Sequence, residues 1–151
     1  MRYLILRKAD VRTEAGFAPT PEFLAAMGRY RASLERAGVY VYGDGLHASA
    51  QGAVRLRHER GEWTLIDGPF AETKELIAGF LIVECDSLHK ALRWARACPS
   101  MTGDGVAEME VRQIISAADF PAELAPYLAN LPWNSVADEV VAAREPEHAR
   151  A

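Results

Sequence analysis

Apolar positions along this 151-residue chain change period several times, and each change marks an element. Residues 2–8 (Arg-Tyr-Leu-Ile-Leu-Arg-Lys) place an apolar middle between basic ends and predict a strand. Residues 9–19 carry no period and contain Gly16 and Pro19, which predicts a loop. Thr20-Pro21 then pairs an N-cap residue with a proline at the first helical position. Phe23, Met27, Tyr30, Leu34 and Ala37 follow at alternating steps of four and three, the spacing of one helix face, and Gly38 supplies a stop. A helix over 20–37 is expected.

Val39-Tyr40-Val41-Tyr42 is β-branched and aromatic and predicts a strand ended by Gly43-Asp44-Gly45, with Tyr40 and Tyr42 on one face. Alternation returns at about 53–58 and 63–67 around Glu59-Arg60-Gly61-Glu62, the pattern of a hairpin. Leu76 to Cys85 is apolar at both alternating sets, as in a strand covered on two sides. Asp86 or Ser87 caps a helix that buries Leu88, Ala91, Leu92 and Ala95 and stops at Pro99. Val106 to Ile115 alternates again, with Met109, Val111, Gln113 and Ile115 opposite Glu108, Glu110, Arg112 and Ile114. A short helix is expected over Pro121 to Asn130, and from Pro132 the sequence thins into Ala, Glu and Arg, as in a mobile end.

The order β-α-β, inserted hairpin, β-α-β is the split pattern of an α+β, ferredoxin-like sheet with both helices on one face. Such a sheet leaves its second face bare. Because strand 76–85 is apolar there too, a second copy is expected to cover it, giving a homodimer joined through its sheets. Residues 1–118 form the domain, and 119–151 form a C-terminal helical extension or tail.

Half of the residues are apolar and a quarter charged, ordinary for a globular protein of one domain. Residues 119–151 hold six acidic and two basic residues, so the tail carries the whole chain's balance of −4 over a neutral body. That distribution gives nucleic acid no electrostatic footprint. Cys85 and Cys98 are too few for a disulfide framework and lack the spacing of a zinc or redox pair. With neither a membrane-length apolar run nor a leader-like start, the expected location is cytoplasmic, with no membrane contact.

The densest chemistry lies in Asp67-Gly68-Pro69-Phe70-Ala71-Glu72-Thr73-Lys74-Glu75, between the hairpin and the next strand. Asp-Gly favours a turn, and Pro69 removes a ladder donor, so strand pairing should stop there. Asp67 can act as a base at a strand end or as a stabiliser of its own turn. Lys74 can hold an anion or pair with Glu72 or Glu75; Phe70, Gly68, Pro69 and Thr73 read as structural. His47, after a Gly-rich turn, is a candidate acid–base or ligand group; Glu108, Glu110 and Arg112 share one face of the last strand, a charged ladder that is costly if enclosed unless paired or occupied by ligand and unremarkable if it faces solvent, and Arg112 is its ligand candidate. No histidines share metal-ligand spacing, and neither a nucleophile triad nor a phosphate loop is evident. No catalytic residue, cofactor or metal is assigned.

The nonapeptide at 67–75, the following Leu76-Ile77-Ala78-Gly79-Phe80-Leu81-Ile82, and Ala97-Cys98-Pro99 resemble the DGPF group of YCII-related proteins. Gly45-Leu46-His47 and Glu110-Val111-Arg112 take part in the likeness, which spans about residues 1–116. The resemblance implies a dimeric α/β barrel and brings no established reaction with it. The expected function is a small-molecule-binding dimer with a pocket between the sheet and the 67–75 loop, surrounded by Asp67, Lys74, His47 and Arg112, and acid–base activity on a small organic substrate is its enzymatic extension. Members often accompany extracytoplasmic-function sigma factors, which implies, as the alternative, a non-catalytic module partnering a transcription regulator. The broader family's suspected His–Asp pair, in the first helix and before the proline that ends the second, is replaced here by Phe23 or Leu24 and by Cys98. Its mechanism does not carry over.

Overall fold

The computed structural model describes residues 1–16, 18–71, 75–100 and 107–128. Its strands are β1 (Arg2–Lys8), β2 (Tyr40–Gly45), β3 (Val54–Glu59), β4 (Glu62–Asp67), β5 (Ile77–Glu84) and β6 (Met109–Gln113). Its helices are α1 (Val11–Glu14), α2 (Pro21–Arg36), α3 (Leu88–Ala97) and α4 (Ala125–Leu128), with a 3-10 turn at Ala117–Asp119 and another at Ala122–Leu124. The tail expected from Pro132 onward lies outside the described residues.

Four strands form one antiparallel sheet in the order β2-β5-β1-β6, compatible with the ferredoxin-like arrangement read from the sequence. The helices begin where the sequence places them. Thr20 Oγ1 accepts the Phe23 N–H (3.2 Å), Pro21 opens α2, and Gly38 follows it at φ +66°, a left-handed stop that suits glycine. Ser87, not Asp86, caps α3 through the Lys90 N–H (3.3 Å), leaving Asp86 to pair with Lys90.

Side chains on one face of the sheet pack on α2 and α3. Tyr3, Ile5 and Val83 join Tyr30, Leu34, Ala91 and Ala95 in the core, with Leu81, Met109 and Val111 packed against it. The Tyr30 hydroxyl donates to the Trp94 carbonyl (2.8 Å) and ties α2 to α3; burial pushes that phenol well above its ordinary range. Leu88, expected on the buried face of α3, is exposed at the start of the helix.

Three local expectations are corrected. Residues 9–19 are not wholly loop: Asp10 Oδ1 accepts the Arg12 and Thr13 N–H groups (3.0 and 2.8 Å), and Thr13 Oγ1 accepts the Asp10 N–H (2.8 Å). This capping box sustains a four-residue helix too short to show a period. Gly43-Asp44-Gly45 does not end β2, which runs through it; a Cβ at Gly43 would sit 2.8 Å from the Phe80 carbonyl oxygen, so glycine here serves close strand approach rather than a turn. Finally, the β2–β5 register shifts between Tyr40 and Tyr42, which pair with Val83 and Ile82. Tyr40 therefore faces the helices, under the Arg31 guanidinium at 4.7 Å, while Tyr42 faces the other way beside Phe80 at 5.8 Å between ring centroids.

Strands β3 and β4 form a separate two-stranded sheet, the expected hairpin. Its two-residue turn, Arg60-Gly61, has positive φ at both positions (53° and 87°), as the right-handed twist of a tight hairpin favours.

Candidate functional site

The sheet face turned away from the helices follows from the register. Leu4 pairs with Ile82 and Arg112, and Leu6 pairs with Phe80 and Glu110. Alternation places Lys8 on the same face, and the β2 bulge adds Tyr42. Leu4, Leu6, Phe80 and Ile82 are half-buried and stand outside the core cluster. Along β6 this apolar surface is bordered by charge. Glu110 lies between two cations, with Lys8 Nζ at 3.4 Å and Arg112 Nε at 3.7 Å. The Lys8 side chain is largely covered and that of Arg112 largely open. The trio carries a net charge of +1 beside an apolar surface.

A second polar cluster lies where β1, β2, β4 and β5 meet the connecting loops. Glu14, at the end of α1, accepts two hydrogen bonds from Ser49: its N–H (3.0 Å) and its hydroxyl (2.5 Å) reach the same Oε2. Ser49 Oγ in turn accepts the Phe70 N–H (3.2 Å). Ala53 accepts the Gly68 N–H (2.9 Å), and the Gly68–Pro69 peptide is cis. Ser49 and Thr13 are buried and Glu14 is half-buried. A clamp of this kind orders chain segments distant in sequence, since each buried donor needs its acceptor. The serine hydroxyl has one proton, committed to Glu14, and little access to solvent. It ties the loop to α1 and to Phe70.

The residues singled out in the sequence separate between these places. Asp67 is the last residue of β4 and exposed, and no described residue bonds its carboxylate; among the described residues Ala53 and Ser49 bond the turn, at Gly68 and Phe70. His47 is exposed, its Nδ1 3.2 Å from Gln51 Oε1. Phe70 is half-buried under the Arg55 guanidinium (4.5 Å), against the hairpin rather than inside the helix-packed core. Arg112 belongs to the open sheet face. Glu72, Thr73 and Lys74 lie outside the described residues.

Glu14, Ser49 and Lys8 are not singled out by the sequence, whereas Glu110 is, as part of the charged face of the last strand. Glu14 and Ser49 stand 35 positions apart with no repeating pattern between them. For Glu110, the alternation of Glu108, Glu110 and Arg112 along β6 was the available signal.

Among the described residues, no helix is long and apolar enough to cross a membrane. The chain is 54% identical over 44 residues to an uncharacterized protein of Rhizobium meliloti (strain 1021), a match covering 29% of this chain and 36% of that protein. It thus spans about a third of the length of that relative. The YCII-related domain matches residues 1–115, from the first strand to beyond the last, and so takes in the four-stranded sheet, the hairpin and both core helices. The chain belongs to the YCII-related family.

Proposed function

We propose that this chain is a DGPF-group member of the family that acts as a homodimer and binds a small organic anion. Two copies set their open sheet faces together as a dimeric α/β barrel and enclose the ligand between Leu4, Leu6, Phe80 and Ile82. Arg112, offset by Glu110 and supported by Lys8, supplies the positive charge. His47, Asp67 and Lys74 belong to the loops at the mouth, where acid–base chemistry on the bound molecule is the enzymatic extension. The observation that carries this reading is the half-buried apolar face bordered by a charge trio of net +1. Apolar walls with a few placed polar groups are the usual make-up of a ligand pocket.

Light scattering at micromolar concentration tests the dimer; a monomer mass there removes the barrel. A thermal-shift screen with small carboxylates tests the ligand class. A carboxylate that raises the melting temperature of the wild type should lose that effect in Arg112→Ala, whose own melting temperature stays close to wild type. A response unchanged in Arg112→Ala removes the sheet-face pocket.

A further inference from the structure

On the open face of the four-stranded sheet, Arg2 is a cation that no described residue satisfies. It stands two positions before Leu4 on β1, so alternation puts it on the face of Leu4 and Leu6. Leu4 pairs with Arg112, and the Ile114 N–H donates to the Arg2 carbonyl (2.9 Å), which makes Arg2 and Arg112 diagonal neighbours on adjacent strands. Diagonal positions lie about 7–8 Å apart, within reach of long side chains. Two guanidinium groups therefore share one corner of the apolar face, beside Leu4 and Ile82.

Neither group is used up. Arg2 is half-buried, and among the described residues its guanidinium has no hydrogen bond and no ion pair. Glu84 pairs with Arg2 across β5, yet it is exposed and does not close on it. Arg112 has Glu110 at 3.7 Å from its Nε, an ion pair too long for a hydrogen bond. Lys8 differs: it is largely covered and lies 3.4 Å from the same carboxylate. A half-buried guanidinium without an acceptor is unfavourable, whereas one that meets a carboxylate gains charge-assisted bonds in fork geometry.

We infer that Arg2 and Arg112 together bind the carboxylate of an apolar monoanion whose body lies over Leu4, Leu6, Phe80 and Ile82. Binding here rests on the sheet-face pocket proposed above, and it holds whether a second copy or further residues of this same chain cover that face. Charge selects the class. Arg2, Lys8 and Arg112 stand with Glu84 and Glu110, which leaves this side of the face a net charge of +1. One carboxylate balances it. A phosphate monoester, with a charge of about −1.5 to −2 at pH 7, exceeds it and meets Glu84 and Glu110. Two more carboxylates lie at other borders of the face: Asp44, which pairs with Phe80, and Glu108, exposed just before β6. A second acidic group on the ligand would be repelled there.

Isothermal titration of the full chain with benzoate, phenyl phosphate and benzyl alcohol is the measurement. Benzoate should bind the wild type, and the other two should bind more weakly by about tenfold or more. Arg2→Gln and Arg112→Ala should each weaken benzoate by about tenfold or more, with melting temperatures close to wild type. Arg2→Lys, which keeps the charge and loses the fork, should recover part of that loss. Loss in Arg112→Ala with none in Arg2→Gln overturns the part given to Arg2 and leaves the sheet-face pocket standing. Loss in Arg2→Gln alone overturns the pairing of the two arginines. Phenyl phosphate bound as tightly as benzoate overturns the monocarboxylate class. Benzoate that fails to bind the wild type, or binds both variants equally, overturns this site and the sheet-face pocket together.

Discussion

Ser49 Oγ lies 2.5 Å from Glu14 Oε2, and this contact fastens the helix that follows β1 to the loop that precedes the hairpin. The same oxygen accepts the Phe70 N–H, so one serine organises three segments that no ladder joins.

Replacing Ser49 with Ala leaves the Phe70 N–H without its acceptor and removes one donor from Glu14. The expected loss is about 1–3 kcal/mol of unfolding free energy, measured by urea denaturation. Ser49→Thr restores the hydroxyl and should recover part of the loss. An alanine variant as stable as the wild type would show the clamp to be dispensable.

Gly68 admits no side chain at its present position, because a Cβ would lie 2.1 Å from the Ser49 carbonyl oxygen. The obstacle is backbone, so the loop itself must move. Gly68→Ala is expected to destabilise by about 3 kcal/mol, the upper end of the overpacking range. A melting temperature within a degree or two of wild type would show that the loop yields freely.

Tyr30 makes stability depend on alkaline pH. Burial raises its folded pKa above the ordinary tyrosine value of about 10. Below about pH 10 both states keep the proton and the contribution is complete. Above it the unfolded chain ionises first, so stability falls as pH rises toward the folded value. Tyr30→Phe should lose about 1 kcal/mol at neutral pH, from the missing bond to Trp94, and show a shallower alkaline decline. Melting temperatures of both proteins from pH 7 to 11 measure it; parallel curves would rule Tyr30 out as the source.

Arg55 holds the hairpin by its polar face. Arg55→Ala removes the stacking on Phe70, an effect of about 0.5–1 kcal/mol at an exposed site. Hydrogen exchange at 54–67 should accelerate while exchange in β1 and β5 stays unchanged. Uniform acceleration throughout the sheet would point to a global rather than a hinge effect.

Elements governed by local chemistry were legible in the sequence. Thr20-Pro21, the three-and-four spacing of Met27, Tyr30 and Leu34, and the Arg60-Gly61 turn each carry their own signal, and the structure reproduces them. The order of elements then yielded an α+β sheet. What escaped depended on pairing between distant segments. The bulge that separates Tyr40 from Tyr42 arises from register against β5, and nothing in Tyr-Val-Tyr announces it. Residues 67–71 read correctly as a turn, but the partners that secure them, Ala53, Ser49 and Glu14, come from elsewhere in the chain. The Lys8–Glu110–Arg112 trio crosses two strands and becomes visible only once β1 and β6 pair.

The bulge in β2 also bears on how copies of this chain can meet. β2 is an outermost strand, and an outermost strand with a straight run of free N–H and C=O groups invites another chain to zip on. Here the pleat is interrupted between Tyr40 and Tyr42, and two glycines flank Asp44 near the strand's end, so the rim offers no long, even track. Strand-by-strand growth into ribbons is disfavoured on that side.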